Sequence, residues 1–180
     1  LDSAAPFLGL QIKDVKYRYP GDYDETEFTL GPINLEVTPG EILFIVGGNG
    51  SGKSTLLKIL TGLYYPTDGE VLVDGSRLER SDYPQYRQSF SAIFTDFFLF
   101  DRLYGVSPAV YGRADDLLKW LDISRKTTFD NGGFTNRNLS TGQRKRLALV
   151  AALLEERAVY VFDEIAADQD PEFRRRFYEE

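Results

Sequence analysis

The 180-residue chain contains no cysteine, no histidine, no methionine and a single tryptophan. Without cysteine there is no disulfide and no thiolate metal site, so the redox compartment cannot be read from it. The missing histidine narrows any catalytic argument to other groups. The missing methionine means that the chain does not begin where translation begins, and it reads as a piece of a longer polypeptide. No apolar stretch approaches the ~18 residues that span a bilayer. The opening Leu1-Asp2-Ser3-Ala4-Ala5-Pro6 has neither the charge nor the hydrophobic run of a signal peptide. Internal repeats and low-complexity segments are absent as well.

What is present is ordinary for a globular protein: 42% hydrophobic and 27% charged residues, enough chain for one domain with a real core. A net charge of −7 argues against a nucleic-acid surface covering the whole domain, while leaving room for a local basic patch.

The most informative stretch is Gly47-Gly48-Asn49-Gly50-Ser51-Gly52-Lys53-Ser54-Thr55, which fits G-x-x-x-x-G-K-[ST]. The apolar run Ile42-Leu43-Phe44-Ile45-Val46 precedes it and predicts a buried parallel strand. Apolar residues at helical spacing follow it. Glycines in such a turn let backbone N–H groups line an anion-sized concavity, and the helix points its positive end at the same place. Lys53 would reach the β- and γ-phosphates of a nucleoside triphosphate, and the Ser54 hydroxyl would ligate Mg²⁺.

Around this loop, Leu8 to Tyr19 and Phe28 to Val37 read as antiparallel strands joined by the turn Pro20-Gly21-Asp22-Tyr23-Asp24. Glu70 to Val73 and the turn Asp74-Gly75 predict a hairpin. Ser91 to Phe94 and Ala158 to Phe162 read as buried strands, and Gly112 to Asp122 and Glu172 to Glu180 as helices. Lys126 to Asn138 reads as a polar loop, after which Ser140 caps a long helix. Alternating strands and helices predict an α/β domain with a largely parallel sheet.

Two further motifs carry chemistry. The strand ending at Asp163-Glu164, about a hundred residues after the phosphate loop, offers the two acids that a P-loop enzyme needs opposite that loop. Asp163 would hold Mg²⁺, directly or through water, and Glu164 would orient or deprotonate the attacking water. Leu139-Ser140-Thr141-Gly142-Gln143 offers a hydroxyl and free N–H groups at a helix start, a second phosphate-binding device. The basic Arg144-Lys145-Arg146 behind it reads either as part of that device or as a solvated face.

In the order of these three motifs the sequence resembles the ATP-binding cassette (ABC) family over nearly its whole length. Leu139 to Gln143 looks like the family's signature loop, with Thr141 in place of the usual second glycine. The resemblance implies a P-loop NTPase fold with a mainly parallel core sheet, an N-terminal antiparallel part and a helical insertion. Residues 1–180 would be one nucleotide-binding domain, truncated before a C-terminal region whose histidine contacts the γ-phosphate. It implies ATP and Mg²⁺ as ligands, with Tyr19 stacking on adenine (Tyr17 the runner-up) and Gly47, Asn49, Gly50, Ser51, Gly52, Lys53, Ser54 and Thr55 around the phosphates. Ser140, Gly142 and Gln143 would act on the nucleotide of a second copy, paired head to tail. Ala167-Asp168-Gln169-Asp170 falls at the family's D-loop. Thr95 stands where the family has a glutamine that touches Mg²⁺ and the transmembrane partner, with Asp96 beside it and Phe97 to Phe100 as an apolar surface.

The wording of Ser89 to Phe97 and of Asp163 to Pro171 resembles exporters of cyclic or modified peptides and peptide siderophores. There the cassette lies behind a membrane domain on the same polypeptide, at the cytoplasmic face of the membrane. A soluble ABC ATPase and a nucleotide-binding module with little hydrolysis are the competing readings. As given, the chain is expected to bind ATP better than it hydrolyses it.

Overall fold

A computed structural model describes residues 7, 9–19 and 28–179. The expected N-terminal segment, Leu8 at the start of the first strand, the turn Pro20 to Asp24 and Glu180 lie outside the described residues. The chain divides into two compact units, Leu1–Phe90 and Ser91–Glu180.

The first unit comprises β1 (Leu10–Arg18), β2 (Thr29–Val37), α1 (Lys53–Leu60), β3 (Asp68–Val73), β4 (Ser76–Arg77) and the short α2 (Tyr83–Tyr86). Its sheet runs β2-β1-β3-β4, each neighbouring pair antiparallel. Leu10 and Ile12 are buried at the period of two that a strand requires, but the next buried residue is Val15. A bulge at Asp14, whose φ is +49°, inserts the extra residue. Asn34 satisfies it reciprocally: Asp14 N donates to Asn34 Oδ1 at 2.9 Å, and Asn34 Nδ2 to Asp14 Oδ1 at 3.0 Å. The shifted phase puts Val15 and Tyr17 inward and aims Tyr19 along the same face. Asp74-Gly75, both at positive φ, close the expected two-residue hairpin between β3 and β4.

One expectation is corrected. Ile42 to Val46 form no ladder among the described residues, and Ile42 and Val46 are 80% and 87% exposed. An apolar run measures a tendency to be covered, whereas a strand also requires a neighbour to supply the ladder, and none of the described strands pairs with this one.

The second unit comprises β5 (Phe90–Ile93), α3 (Ala114–Trp120), β6 (Phe129–Asp130), β7 (Gly133–Phe134), α4 (Thr141–Leu154), β8 (Val159–Phe162) and α5 (Pro171–Glu179). Asp163 N, just past β8, donates to Ile93 O at the end of β5, so these paired strands run parallel. The sheets of the chain are therefore mixed. Leu147, Leu149, Val150 and Leu154 of α4 pack with Leu118, Leu121 and Ile123 in the core. The segment expected to be a polar loop holds the β6–β7 hairpin, turned by Asn131-Gly132 with both residues at positive φ.

Candidate functional site

In the first unit, Gly52 starts α1 at φ +91° with no side chain capping it, which leaves first-turn N–H groups to an external acceptor. A Cβ on Gly52 would lie 2.7 Å from Leu30 Cδ1, so both backbone and packing demand glycine. Gly50, also at positive φ, turns the exposed tip formed with Asn49 and Ser51. Lys53 folds over the loop and donates to the carbonyls of Gly47 (2.9 Å) and Gly48 (3.0 Å). Its ammonium, with a third donor, thus stands at the loop's mouth. Ser54 is partly exposed beside it, while Thr55 is buried.

The Thr55 hydroxyl is 2.8 Å from that of Tyr19, which ties the aromatic to the phosphate loop. Tyr17 stacks on Tyr64 at 5.0 Å and 8°, and Tyr19 meets both rings edge-on. Tyr17 is buried, and burial, followed by its neighbours Tyr64 and Tyr19, raises its phenol's pKa. Tyr19 is exposed, so of the two sequence candidates it is the ring with a free surface for a base.

In the second unit, Asp163 is 4% exposed and its Oδ2 has no hydrogen-bond partner. A buried orphan carboxylate oxygen fits a cation ligand. Among the described residues no cluster of three or more acidic side chains forms a metal cage. Glu164 follows, exposed, in the left-handed conformation at φ +53°. Thr95 and Asp96 form the centre of a turn closed by Phe97 N to Phe94 O, just beyond the end of β5. The expected apolar surface divides: Phe97 and Leu99 pack on the core, while Phe98 and Phe100 are exposed and touch each other.

Ser140 caps α4 through a capping box. Its Oγ accepts from Gln143 N at 3.4 Å, and Gln143 Oε1 accepts from Ser140 N at 3.2 Å. A Cβ on Gly142 would lie 2.8 Å from Asp168 O, which explains glycine there. Behind the cap only Arg144 is a solvated face. Lys145 is 5% exposed, donating to Glu164 O at 3.0 Å and pairing with Asp168 at 2.7 Å. Arg146 bonds Gln169 Oε1, Leu121 O and Asp170, and covers the Phe173 ring at 4.5 Å. Gln169, itself buried, returns a bond to Gly142 O at 2.9 Å. Sequence reasoning missed Lys145 and Gln169. The available signal was phase, since position 145 lies on the stripe of Leu149 and Ala152.

The sequence profile of the ABC transporter family matches residues 30–167. The chain is 45% identical over 184 residues to the ATP-binding protein SyrD of Pseudomonas syringae pv. syringae, a match covering all of this chain and 32% of that protein. It is 31% identical over 188 residues to the subtilin transport ATP-binding protein SpaT of Bacillus subtilis, over 92% of this chain and 29% of that one. A bacterial Atm1-family ABC exporter solved with ATP bound has the same fold, with TM-score 0.76 at 23% identity over 98% of this chain and 32% of the other. The chain thus spans about a third of the length of these relatives.

Proposed function

Because the chain belongs to the ABC transporter family, we propose that it is the ATP-binding and ATP-hydrolysing domain of an exporter that moves a peptide-like compound. Its fold is that of a P-loop NTPase, and membership implies ATP binding and hydrolysis. The observation that carries the reading is the glycine-started, uncapped α1 with Lys53 across the mouth of its loop. Such an N-terminus meets phosphate oxygens with main-chain donors and positive charge. Gly47 to Ser54 hold the β- and γ-phosphates, and Tyr19 holds the adenine. Thr55 supports Tyr19 through the bond between their hydroxyls.

Ser54, Asp163 and Thr95 are the residues that would hold Mg²⁺, which supplies neutralisation of the phosphate charge. Glu164 accepts a proton from the water that attacks the γ-phosphorus as the β–γ bridging bond breaks, leaving ADP and phosphate. Ser140, Gly142 and Gln143 meet the nucleotide of a second copy, so that ATP joins two domains head to tail. One relative named for ATP binding and one named for subtilin transport support the transport reading. The membrane partner would lie on the same polypeptide, docking at Thr95 to Phe100 on the cytoplasmic face of the membrane, with no role for nucleic acid.

Sedimentation with and without Mg-ATP tests the assembly. The intact nucleotide-binding domain is expected to pair only with ATP. Ser140→Arg is expected to abolish the pair while sparing ATP binding by the single copy. A pair indifferent to both nucleotide and substitution would remove the head-to-tail reading.

A further inference from the structure

Five contacts fasten the stretch that follows β8 to the first turns of α4, and one of them reaches the backbone of Glu164 itself. Lys145 Nζ donates to the Glu164 carbonyl at 3.0 Å and pairs with Asp168 Oδ2 at 2.7 Å, its side chain only 6% exposed. The same carbonyl accepts from Ala167 N at 3.1 Å, so both of its lone pairs are used. Glu164 meanwhile holds φ at +53°, a conformation that costs a non-glycine residue ~1 kcal/mol and persists where the surroundings over-determine it. Gln169 and Arg146 tie the far end of the stretch, through Gly142 O and Asp170, by bonds that go to residues other than Glu164.

We propose that Lys145 is a positioning residue for ATP hydrolysis: its buried ammonium holds the Glu164 peptide in the left-handed conformation that aims the carboxylate. This rests on the role given to Glu164 above. A buried ammonium cannot be left without its anion and acceptor, so its two partners are held where it requires them. Asp168 completes the clamp from the solvent side, being 55% exposed. With the ammonium gone, the peptide relaxes toward an unstrained φ and swings the carboxylate off the line of attack. A displacement of ~1 Å in a catalytic group is enough to cost about a hundredfold in rate. The phosphate loop is untouched by this, so ATP affinity stays.

The test compares Lys145→Gln, Lys145→Arg and Asp168→Ala in the intact protein, reading kcat, KM for ATP and ATP affinity by calorimetry. Lys145→Gln is expected to lower kcat at least about tenfold with KM and affinity unchanged. Lys145→Arg, which keeps charge and donors, should recover part of that loss. Asp168→Ala, which removes the anion at the solvent end of the pair where water can take its place, should lower kcat in the same sense by a smaller factor. Parental kcat in Asp168→Ala, or a loss in Lys145→Gln that appears in KM alone, overturns the proposal. If Lys145→Gln fails to fold, the Asp168→Ala result decides. Parental turnover in Glu164→Gln removes the role of Glu164 and this inference together. A collapse there, with parental kcat in Lys145→Gln and Asp168→Ala, removes this inference alone.

Discussion

The phosphate loop and the β8 end are built in opposite ways. Around Gly47 to Lys53 the polar groups are mainly backbone, α1 has no side-chain cap, and one flexible lysine closes over two carbonyls. Around Asp163 to Asp170 the well-covered side chains of Lys145, Arg146 and Gln169 tie the chain down through carboxylates and carbonyls. The first arrangement leaves its donors open, as a surface that must receive an anion does. The second spends its donors on fixing the chain in place and leaves free little more than Asp163 Oδ2 and the exposed Glu164. The difference teaches where changes should register: in affinity at the loop, in rate at the acids.

The largest expected effect follows from Glu164→Gln. An amide accepts no proton, so turnover by the intact protein should fall by about a hundredfold or more, within the range of general-base catalysis. Steady-state phosphate release measures it, and parental turnover would show that Glu164 does not activate water. Next is Lys53→Ala, which removes the charge at the loop's mouth. ATP affinity should fall at least tenfold, about 1.4 kcal/mol, by calorimetry.

Smaller still is Tyr19→Phe. It leaves the buried Thr55 hydroxyl without its 2.8 Å partner, and thermal unfolding should register a loss of about 1 kcal/mol. The ring, and with it base stacking, remains. Tyr19→Ala should instead weaken ATP binding, which separates the two roles.

The smallest effect concerns acid. The Phe173 N–H holds the Asp170 carboxylate's pKa below its ordinary value, with Arg146 acting in the same direction. A depressed folded value contributes stability that is fully present above the unfolded pKa of about 3.9 and is lost as pH falls through the folded one. Asp170→Asn should therefore destabilise the protein at neutral pH and flatten its loss of stability below pH ~4. Identical slopes in the two proteins would remove Asp170 from the acid response.

Much of this was legible in sequence because it depends on local rules. The Gly52 start of α1, the Ser140 capping box and the Asp74-Gly75 hairpin each follow from a few adjacent residues. The β6–β7 hairpin carried the same kind of signal in Asn131-Gly132 and was passed over as loop. Ile42 to Val46 were misjudged because pairing depends on a neighbour that no local pattern contains. The Lys145 clamp was hidden for a related reason: a run of three basic residues looks solvated until the helix phase puts its middle member on the buried stripe.

Calorimetric titration of Mg-ATP into the parent, Glu164→Gln and Lys53→Ala, at one salt concentration, tests the division between affinity and rate most directly. The account predicts equal affinity for the parent and Glu164→Gln, and affinity at least tenfold weaker for Lys53→Ala, about 1.4 kcal/mol. Equal losses in both variants would contradict it, because the acids would then be part of what holds the nucleotide.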